Sequence, residues 1–511
     1  MINKLKETYG IKFLIYLVII QLFGKGLLYG IVGSLILPIY KLIGVDGLSY
    51  QLYSTIVEIP WSLKPIFGVL SDLFIIGGYN KKYWILFGNL IGSVFALLLA
   101  IFFQSKNPVF ICFCFFAMEL QVALQDLMTE AKYAEIMRNN PESGSIIVSI
   151  VNALNSLGTF LSVIIVGILA DKQSYYVYTI LLYVCFGITL LPIIPTLLGY
   201  LPEKKSDKLF CLTDKVNQEV VEQVNLEEQL IKQETNINLK KYTYMLVFGI
   251  GIMSIIISVV FVFSTLAVTI ITALSLLAGI CIGYMVFDKV IMHAILYRCL
   301  TYLTYWGLSG AMDYFYTASN DCVINGPHFS YEYYITWTGL VGAIISFLGA
   351  FIFQVLFGKT NIRKVLVVTT ILSGLFSCFD LIIVKRWNLI MGISDKWMYM
   401  LGDAICYNLI DMLNYIPLMT LISKICPKKL ETTTYAFVSG ISNLARIFSY
   451  LIGSYAIGWF KINTVIPCNF DNLWLLIVIG HIVLSTVVLI PCIFLLIPNA
   501  LPTDEIVNVD E

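Results

Sequence analysis

Charge is scarce in this chain of 511 residues: Asp, Glu, Lys and Arg together make up 13%. A soluble surface needs roughly 25–35% charged residues to stay dispersed, so a soluble enzyme, a secreted domain and a disordered chain are excluded. Histidine is scarcer still. There are three (His293, His328 and His481), and neither a zinc nor a di-iron site is expected; no cofactor is implied. Charge of one sign does not predominate, since 32 basic and 32 acidic residues cancel, which leaves no basic field for nucleic acid. The 12 cysteines contain no CxxC pair, and Cys112 and Cys114 fall in an apolar run where a thiol acts as a small hydrophobe. A cleavable signal pattern is also missing. The first apolar run begins near Ile11 and continues far past the length of a signal core.

What is present is apolar: 59% of residues, with a mean hydropathy of +0.86. About 20 apolar residues in a helix cross the ~30 Å hydrocarbon core. Spans are expected at 12–40, 49–70, 83–104, 108–131, 146–170 and 174–199, then at 243–263, 265–287, 292–317, 333–357, 363–384, 397–424, 432–459 and 471–498. The pair at 243–287 carries no charge between Lys241 and Asp288 and reads as lipid-facing, without chemistry. Without that pair the layout is six plus six around a central loop, the plan of the major facilitator superfamily. The expected fold is therefore an all-α polytopic membrane protein of fourteen helices, with twelve as the alternative. Its parts are an amino-terminal six-helix bundle (1–199), a cytosolic linker (200–241), two additional membrane helices (242–290), a carboxy-terminal six-helix bundle (291–498) and an acidic cytosolic tail (499–511).

Basic residues set the orientation. With both termini cytosolic, 22 of the 32 Lys and Arg lie in inner loops and 7 in outer ones, among them Lys41 and Lys172; Lys385-Arg386 is a local exception. The remaining three, Lys25, Lys64 and Arg446, fall inside spans; Arg298, near the inner end of the span at 292–317, is counted with the inner loops.

A charge near the bilayer centre costs about 2.5–3.5 kcal/mol even on the lenient insertion scale, so each such residue is a candidate for function. The acidic ones are Glu58, Glu119, Asp126, Glu130, Asp313, Asp380, Asp403 and Asp411. At 100° per residue, Glu119, Asp126 and Glu130 lie within about 20° of one stripe. Three carboxylates on one face cannot all stay ionised and unpaired, so the few cations should meet them or one should hold a proton. A Lys–carboxylate pair that exchanges with substrate or proton would suit coupled transport, with Lys64 and Asp126 the foremost candidates for a role in it; a permanent structural ion pair or a bundle-locking gate is the alternative. Asp380 and His481 each stand alone, nearer a membrane face, and read as structural. Pro60 and Pro65 flank Trp61 and Lys64, and such breaks sit where transporter helices bend or line a cavity. Asp313-Tyr314-Phe315 puts a carboxylate beside rings inside an apolar run, which suits either a flat heteroaromatic substrate or core packing.

The stretch from Gly68 to Trp84 (GVLSDLFIIGGYNKKYW) resembles the G-x-L-S-D…G-x-K/R motif at the cytosolic gate of facilitator-type carriers. With Ile59 to Asp72 (IPWSLKPIFGVLSD) it is similar to the P-W-x-x-K-P-x-x-G-x-x-S-D pattern of the folate–biopterin transporter family. Leu124–Glu135, Arg386–Asp403 and Tyr415–Asn443 resemble further family stretches in the same order. The departures are Glu130 where Asp is common, Asn80-Lys81-Lys82 in place of an Arg-rich run, and Ile416 where Met often precedes the proline. The resemblance implies a secondary transporter that moves folate, pterin or p-aminobenzoate-type anions by alternating access with protons, and the lack of a transit peptide favours the plasma membrane. Lys64, Lys25 and Arg446 would meet carboxylates. Asp126 or Glu130 would carry a proton or bind the amino-pyrimidine edge, with Glu58 and Asp313 also in the substrate site, and Trp61, Tyr314 and Phe315 would stack on the ring. Asp72, Lys81 and Lys82, and separately Glu135 with Arg138, would close the cytosolic gate. The family also includes carriers of S-adenosylmethionine, and the acidic excess keeps a cationic or zwitterionic cargo as the rival reading. A polytopic membrane enzyme is the distant one, because the histidines have no acidic partner at motif spacing. No segment marks an oligomer interface.

Overall fold

The computed structural model describes residues 9–139, 144–203, 205, 226–261, 264–357, 360–425 and 431–499. Among them there is no strand beyond two isolated β-bridges; helices are joined by turns and by two longer loops at 317–330 and 460–472. The amino-terminal helices are α1 (Ile11–Leu42), α2 (Gly47–Glu58), α3 (Lys64–Leu73), α4 (Lys82–Phe102), α5 (Pro108–Asn139), α6 (Gly144–Ala170) and α7 (Tyr175–Leu190). Then come α8 (Leu226–Val260) and α9 (Thr265–Val286). The carboxy-terminal helices are α10 (Lys289–Thr304), α11 (Ser309–Tyr316), α12 (Thr338–Ile352), α13 (Ile362–Val384), α14 (Asn408–Ile425), α15 (Glu431–Trp459) and α16 (Leu473–Leu496).

Ten stretches among the described residues are long and apolar enough to cross a membrane. Of the other four expected spans, two are broken, whereas those at 333–357 and 397–424 are unbroken helix that includes π-helical turns. The span expected at 49–70 breaks into α2, a 3-10 turn at Ile59–Leu63, and α3, because Pro60 and Pro65 each begin a new turn and neither has an N–H to donate to the preceding one. The span at 292–317 breaks between α10 and α11, and the span at 397–424 runs through π-helical turns at Met400–Tyr407 that contain Asp403.

α8 and α9 are not wholly lipid-facing. They pack on α3 and on α15, with Val247, Ile250 and Ile257 buried and the Ser254 hydroxyl 3.4 Å from the Ser62 carbonyl. The Lys385-Arg386 exception in the charge pattern also has a physical cause. Arg386 donates two hydrogen bonds to Asp395 at 2.8 and 2.7 Å, Asn388 adds a third at 2.8 Å, and Lys385 lies 4.0 Å from the Trp474 ring centre. The Arg386 charge is thus cancelled locally. On the same end of the molecule Cys322 and Cys468, with Cα atoms 5.2 Å apart, form a disulfide that the scattered cysteine spacing does not suggest.

The first helix widens into π-helical turns over Ile19–Leu28, and there it crosses α6 at glycine contact distance. A Cβ on Gly158 would overlap Gly26 and the Leu22 carbonyl, whereas a Cβ on Gly187 would meet nothing within 4 Å. The crossing sets the height of Lys25, the neighbour of Gly26. Gly158→Val is expected to cost about 1–3 kcal/mol through overpacking, read as a lower midpoint of thermal unfolding in detergent, while Gly187→Val leaves the midpoint nearly unchanged.

Candidate functional site

The break in the second expected span presents Trp61 and Lys64 to α5. Lys64 Nζ donates to Asp126 Oδ2 at 2.6 Å and lies 4.4 Å from the Trp61 ring centre, a cation–π contact. From the π-widened part of α1, Lys25 Nζ reaches Asp126 Oδ1 at 2.8 Å and Glu130 Oε1 at 3.7 Å. Asp126 is 1% exposed; the two lysines are 22% and 13% exposed, so they face a space rather than packed core. Such π-turns add a residue to the helix and often present a functional side chain.

Glu119, one stripe position further along α5, is also 1% exposed and accepts the Trp61 indole N–H at 3.1 Å. The carboxylate stripe read from the sequence thus exists: Asp126 takes both cations, Glu130 the more distant one and Glu119 a neutral donor. Trp61 sits between these groups. Its carbonyl accepts from Asn443 of α15 at 3.3 Å, and its ring packs edge-on against Tyr29 at 5.4 Å. Beside it Arg446 of α15 pairs with Glu58 of α2 at 2.9 Å, both side chains 30% exposed. This pair joins residues 388 apart in sequence.

Asp313, Tyr314 and Phe315 lie elsewhere. Asp313 accepts the hydroxyls of Tyr50 at 2.6 Å and Tyr334 at 2.8 Å. Tyr314 donates to the Val45 carbonyl at 2.5 Å, and Phe315 is 3% exposed against Tyr316 and Phe470. Among the described ring contacts Trp61 meets neither Tyr314 nor Phe315, so the three rings do not form one stack.

Asp380 and His481 are not alone, contrary to the sequence reading. Asp380 accepts the Tyr316 hydroxyl and lies within hydrogen-bonding reach of Asp403, while His481 bonds the Trp306 carbonyl at 2.9 Å and stacks on Tyr305 with centroids 4.0 Å apart. A cavity of about 110 Å³ is lined by Asp380, Asp403, Asp411, Arg298, Tyr305 and Tyr407, among others. The acids are legible as charges in spans; the tyrosine partners carry no spacing signal.

At the Gly68–Trp84 motif, the Glu203 carboxylate accepts the backbone N–H groups of Asn80, Lys81 and Lys82 at 2.7, 2.9 and 3.0 Å, which caps α4. The Lys82 ammonium donates to the Leu197 carbonyl at 3.2 Å and lies 5.2 Å from the Tyr79 ring centre. The Asp72, Glu135 and Arg138 side chains lie outside the described residues. Among the described residues no group of three or more His, Cys, Asp or Glu could hold a metal ion.

A family model described as the BT1 family matches residues 31–510. The "Probable folate-biopterin transporter 6" of Arabidopsis thaliana is 23% identical over 464 residues, 90% of this chain and 77% of the relative. "Folate transporter 2" of Plasmodium falciparum (isolate 3D7) is 28% identical over 170 residues, 33% of this chain and 36% of the relative. Among solved structures, a peptide transporter POT in complex with sulfate superposes with a TM-score of 0.64 at 12% identity, covering 95% of this chain and 96% of that one. The nucleoside transporter NupG gives 0.54 at 12% identity over 96% and 99%. These structures share the fold, which is all-helical as expected from the sequence.

The Glu58–Arg446 pair yields a direct test. Half-exposed ion pairs couple weakly, by up to about 1 kcal/mol. Glu58→Gln and Arg446→Gln should therefore each lower the thermal midpoint modestly, and the double variant should cost less than the sum of the two. A charge swap (Glu58→Arg with Arg446→Glu) should recover part of the loss in the same double-mutant cycle.

Proposed function

For a chain that belongs to the BT1 family, we propose secondary transport of a folate-, pterin- or p-aminobenzoate-type anion by alternating access coupled to protons. The observation that carries this reading is the Lys25–Asp126–Lys64 triad beside Trp61. Two ammonium groups share one buried carboxylate, so a substrate carboxylate can replace Asp126 on Lys64 without leaving a bare charge. Protonation of Asp126 would free both lysines for an anion, and its deprotonation would draw them back, which links proton and substrate. Trp61 offers a ring face beside the exchange point. Glu119 accepts the indole N–H and so orients that face.

We read fourteen crossings, an amino-terminal bundle at 1–199, two additional helices at 242–290 and a carboxy-terminal bundle at 291–498, with both termini cytosolic. The disulfide supports this orientation, since disulfides persist on oxidising faces, and the proposed topology puts Cys322 and Cys468 in two outer loops. An oxidising outer face also fits the plasma membrane. Asp72 with Lys81 and Lys82, and Glu135 with Arg138, remain the proposed cytosolic gate.

The buried acids of the carboxy-terminal helices favour the second reading, a cationic or zwitterionic cargo. Uptake of radiolabelled folic acid into proteoliposomes separates the two. An inward proton gradient should stimulate uptake. Lys64→Gln and Asp126→Asn, shown to be folded by size-exclusion chromatography, should each reduce it at least about tenfold, the loss of one charge-assisted hydrogen bond. A folded wild-type protein that takes up neither folic acid, biopterin nor p-aminobenzoate would overturn the anion reading.

A further inference from the structure

A second cavity, of about 680 Å³, lies at the disulfide-bearing end, remote in sequence from the triad on most of its walls. Its volume is within the ~300–1,000 Å³ of small-molecule sites. The walls include Lys41, Asp171, Tyr314, His328, Tyr331 and the bridged Cys322 and Cys468. By the topology proposed above this is the outer face, and the exposed Val465 and Ile466 on its rim place it at the surface.

Lys41 is the cation of this cavity. Its Nζ donates to the Thr317 carbonyl at 2.6 Å and to the Thr317 hydroxyl at 2.8 Å, and it lies 5.3 Å from the Tyr314 ring centre. Among the described residues no carboxylate is within ion-pair distance of it. An ammonium has three N–H donors; two are spent on neutral oxygens, and the carboxylate whose field it feels, Asp313, is held by two tyrosine hydroxyls rather than by Lys41. Asp171 is the one carboxylate of the lining, and it accepts the Tyr331 backbone N–H at 2.5 Å with one oxygen. His328 Nδ1 is 2.7 Å from the Ala318 carbonyl oxygen, which leaves Nε2 as its second polar atom. Tyr314 and Tyr331 supply ring surface.

We propose that this cavity is a first binding station for a ring-bearing carboxylate anion, with Lys41 as its carboxylate partner. Asp171 retains an oxygen for an amino-pyrimidine edge. The station is also the lid of a seal. Directly around it, amino- and carboxy-terminal helices are joined by Lys41 to Thr317, Tyr314 to Val45, the Gly47 N–H to Thr464 Oγ1 at 2.6 Å, and Tyr50 through Asp313 to Tyr334. An anion that takes Lys41 from Thr317 removes one of these bonds, so binding at the station loosens the closure beneath it. The proposal rests on the transport reading for the nature of the cargo.

The test uses the full chain in intact cells and in proteoliposomes, with folic acid as the carboxylate probe and biopterin as the probe without a carboxylate. Lys41→Gln should raise the ratio of KM for folic acid to KM for biopterin roughly tenfold, and Lys41→Arg should restore it. Ser319 lines the cavity and is exposed, so Ser319→Cys reports occupancy through a membrane-impermeant thiol reagent added outside. Folic acid should slow that modification more than biopterin does, and Lys41→Gln should abolish the difference. Equal protection by both probes, or protection unchanged in Lys41→Gln, overturns the station. Protection without transport of either probe would sustain the station and sink the transport reading. Transport without protection would do the reverse.

Discussion

A carboxylate that has lost nearly all its water must be met by donors, and at Asp126 the amino-terminal helices are arranged so that both donors are cations. Its two partners come from different directions. Lys64 follows a helix broken by two prolines, and Lys25 stands in a stretch of α1 widened into π-turns. The break supplies one approach, and the glycine crossing of α1 on α6 supplies the other. Removing one partner of a buried charge is far more costly than the pair's net contribution is favourable. The two lysines therefore constrain three helices at once, while their partial exposure leaves them able to exchange ligands.

The carboxy-terminal helices solve the same problem differently. Asp313 is held by two tyrosine hydroxyls and Asp380 by one, with Asp403 beside it. Neutral donors satisfy the oxygens without fixing a charge, so these bonds can open without stranding a cation. That difference fits the places they occupy. Asp313 lies where α2, α11 and the turns before α12 meet, and its two tyrosines come from opposite sides of that junction. Such a bond must form and break if the two sets of helices move apart. A lysine there would leave an ammonium bare each time.

How much of this the sequence discloses depends on the kind of signal. Charges in apolar runs are visible because the bilayer makes them costly, and the Glu119, Asp126 and Glu130 stripe follows from helical periodicity alone. Lys64 and Asp126 are both singled out because so few cations are available, but which cation meets which carboxylate is not legible. Arg446 is visible as a charge, but its partner Glu58 is not identified, since nothing local marks a contact across 388 positions. Tyrosine is abundant, with 31 residues, so the roles of Tyr50, Tyr316 and Tyr334 are hidden among many rings that sit at membrane interfaces. Cys322 and Cys468 are separated by 146 residues and share no motif. The interrupted helices read as spans because apolar content survives a break. What hydropathy does not register is the backbone: a missing proline N–H at Pro60 and Pro65, or an extra residue in a turn.

The central pair shows most clearly what composition leaves open. Nothing in α8 or α9 carries charge within the apolar run, and lipid exposure on all sides is the natural reading. Yet Gly251 lies against Ile66 of α3 and Gly279 against Ile441 of α15. Small residues allow close approach between helices where lipid offers no hydrophobic drive for association. The pair thus braces α3 and α15 on one flank of the junction, and the Ser254 contact with Ser62 meets the broken turn itself. Any movement of α15 relative to α3 must slide along this brace or carry it along with one partner. The helices with the least chemistry in their sequence therefore limit the motion available to those with the most.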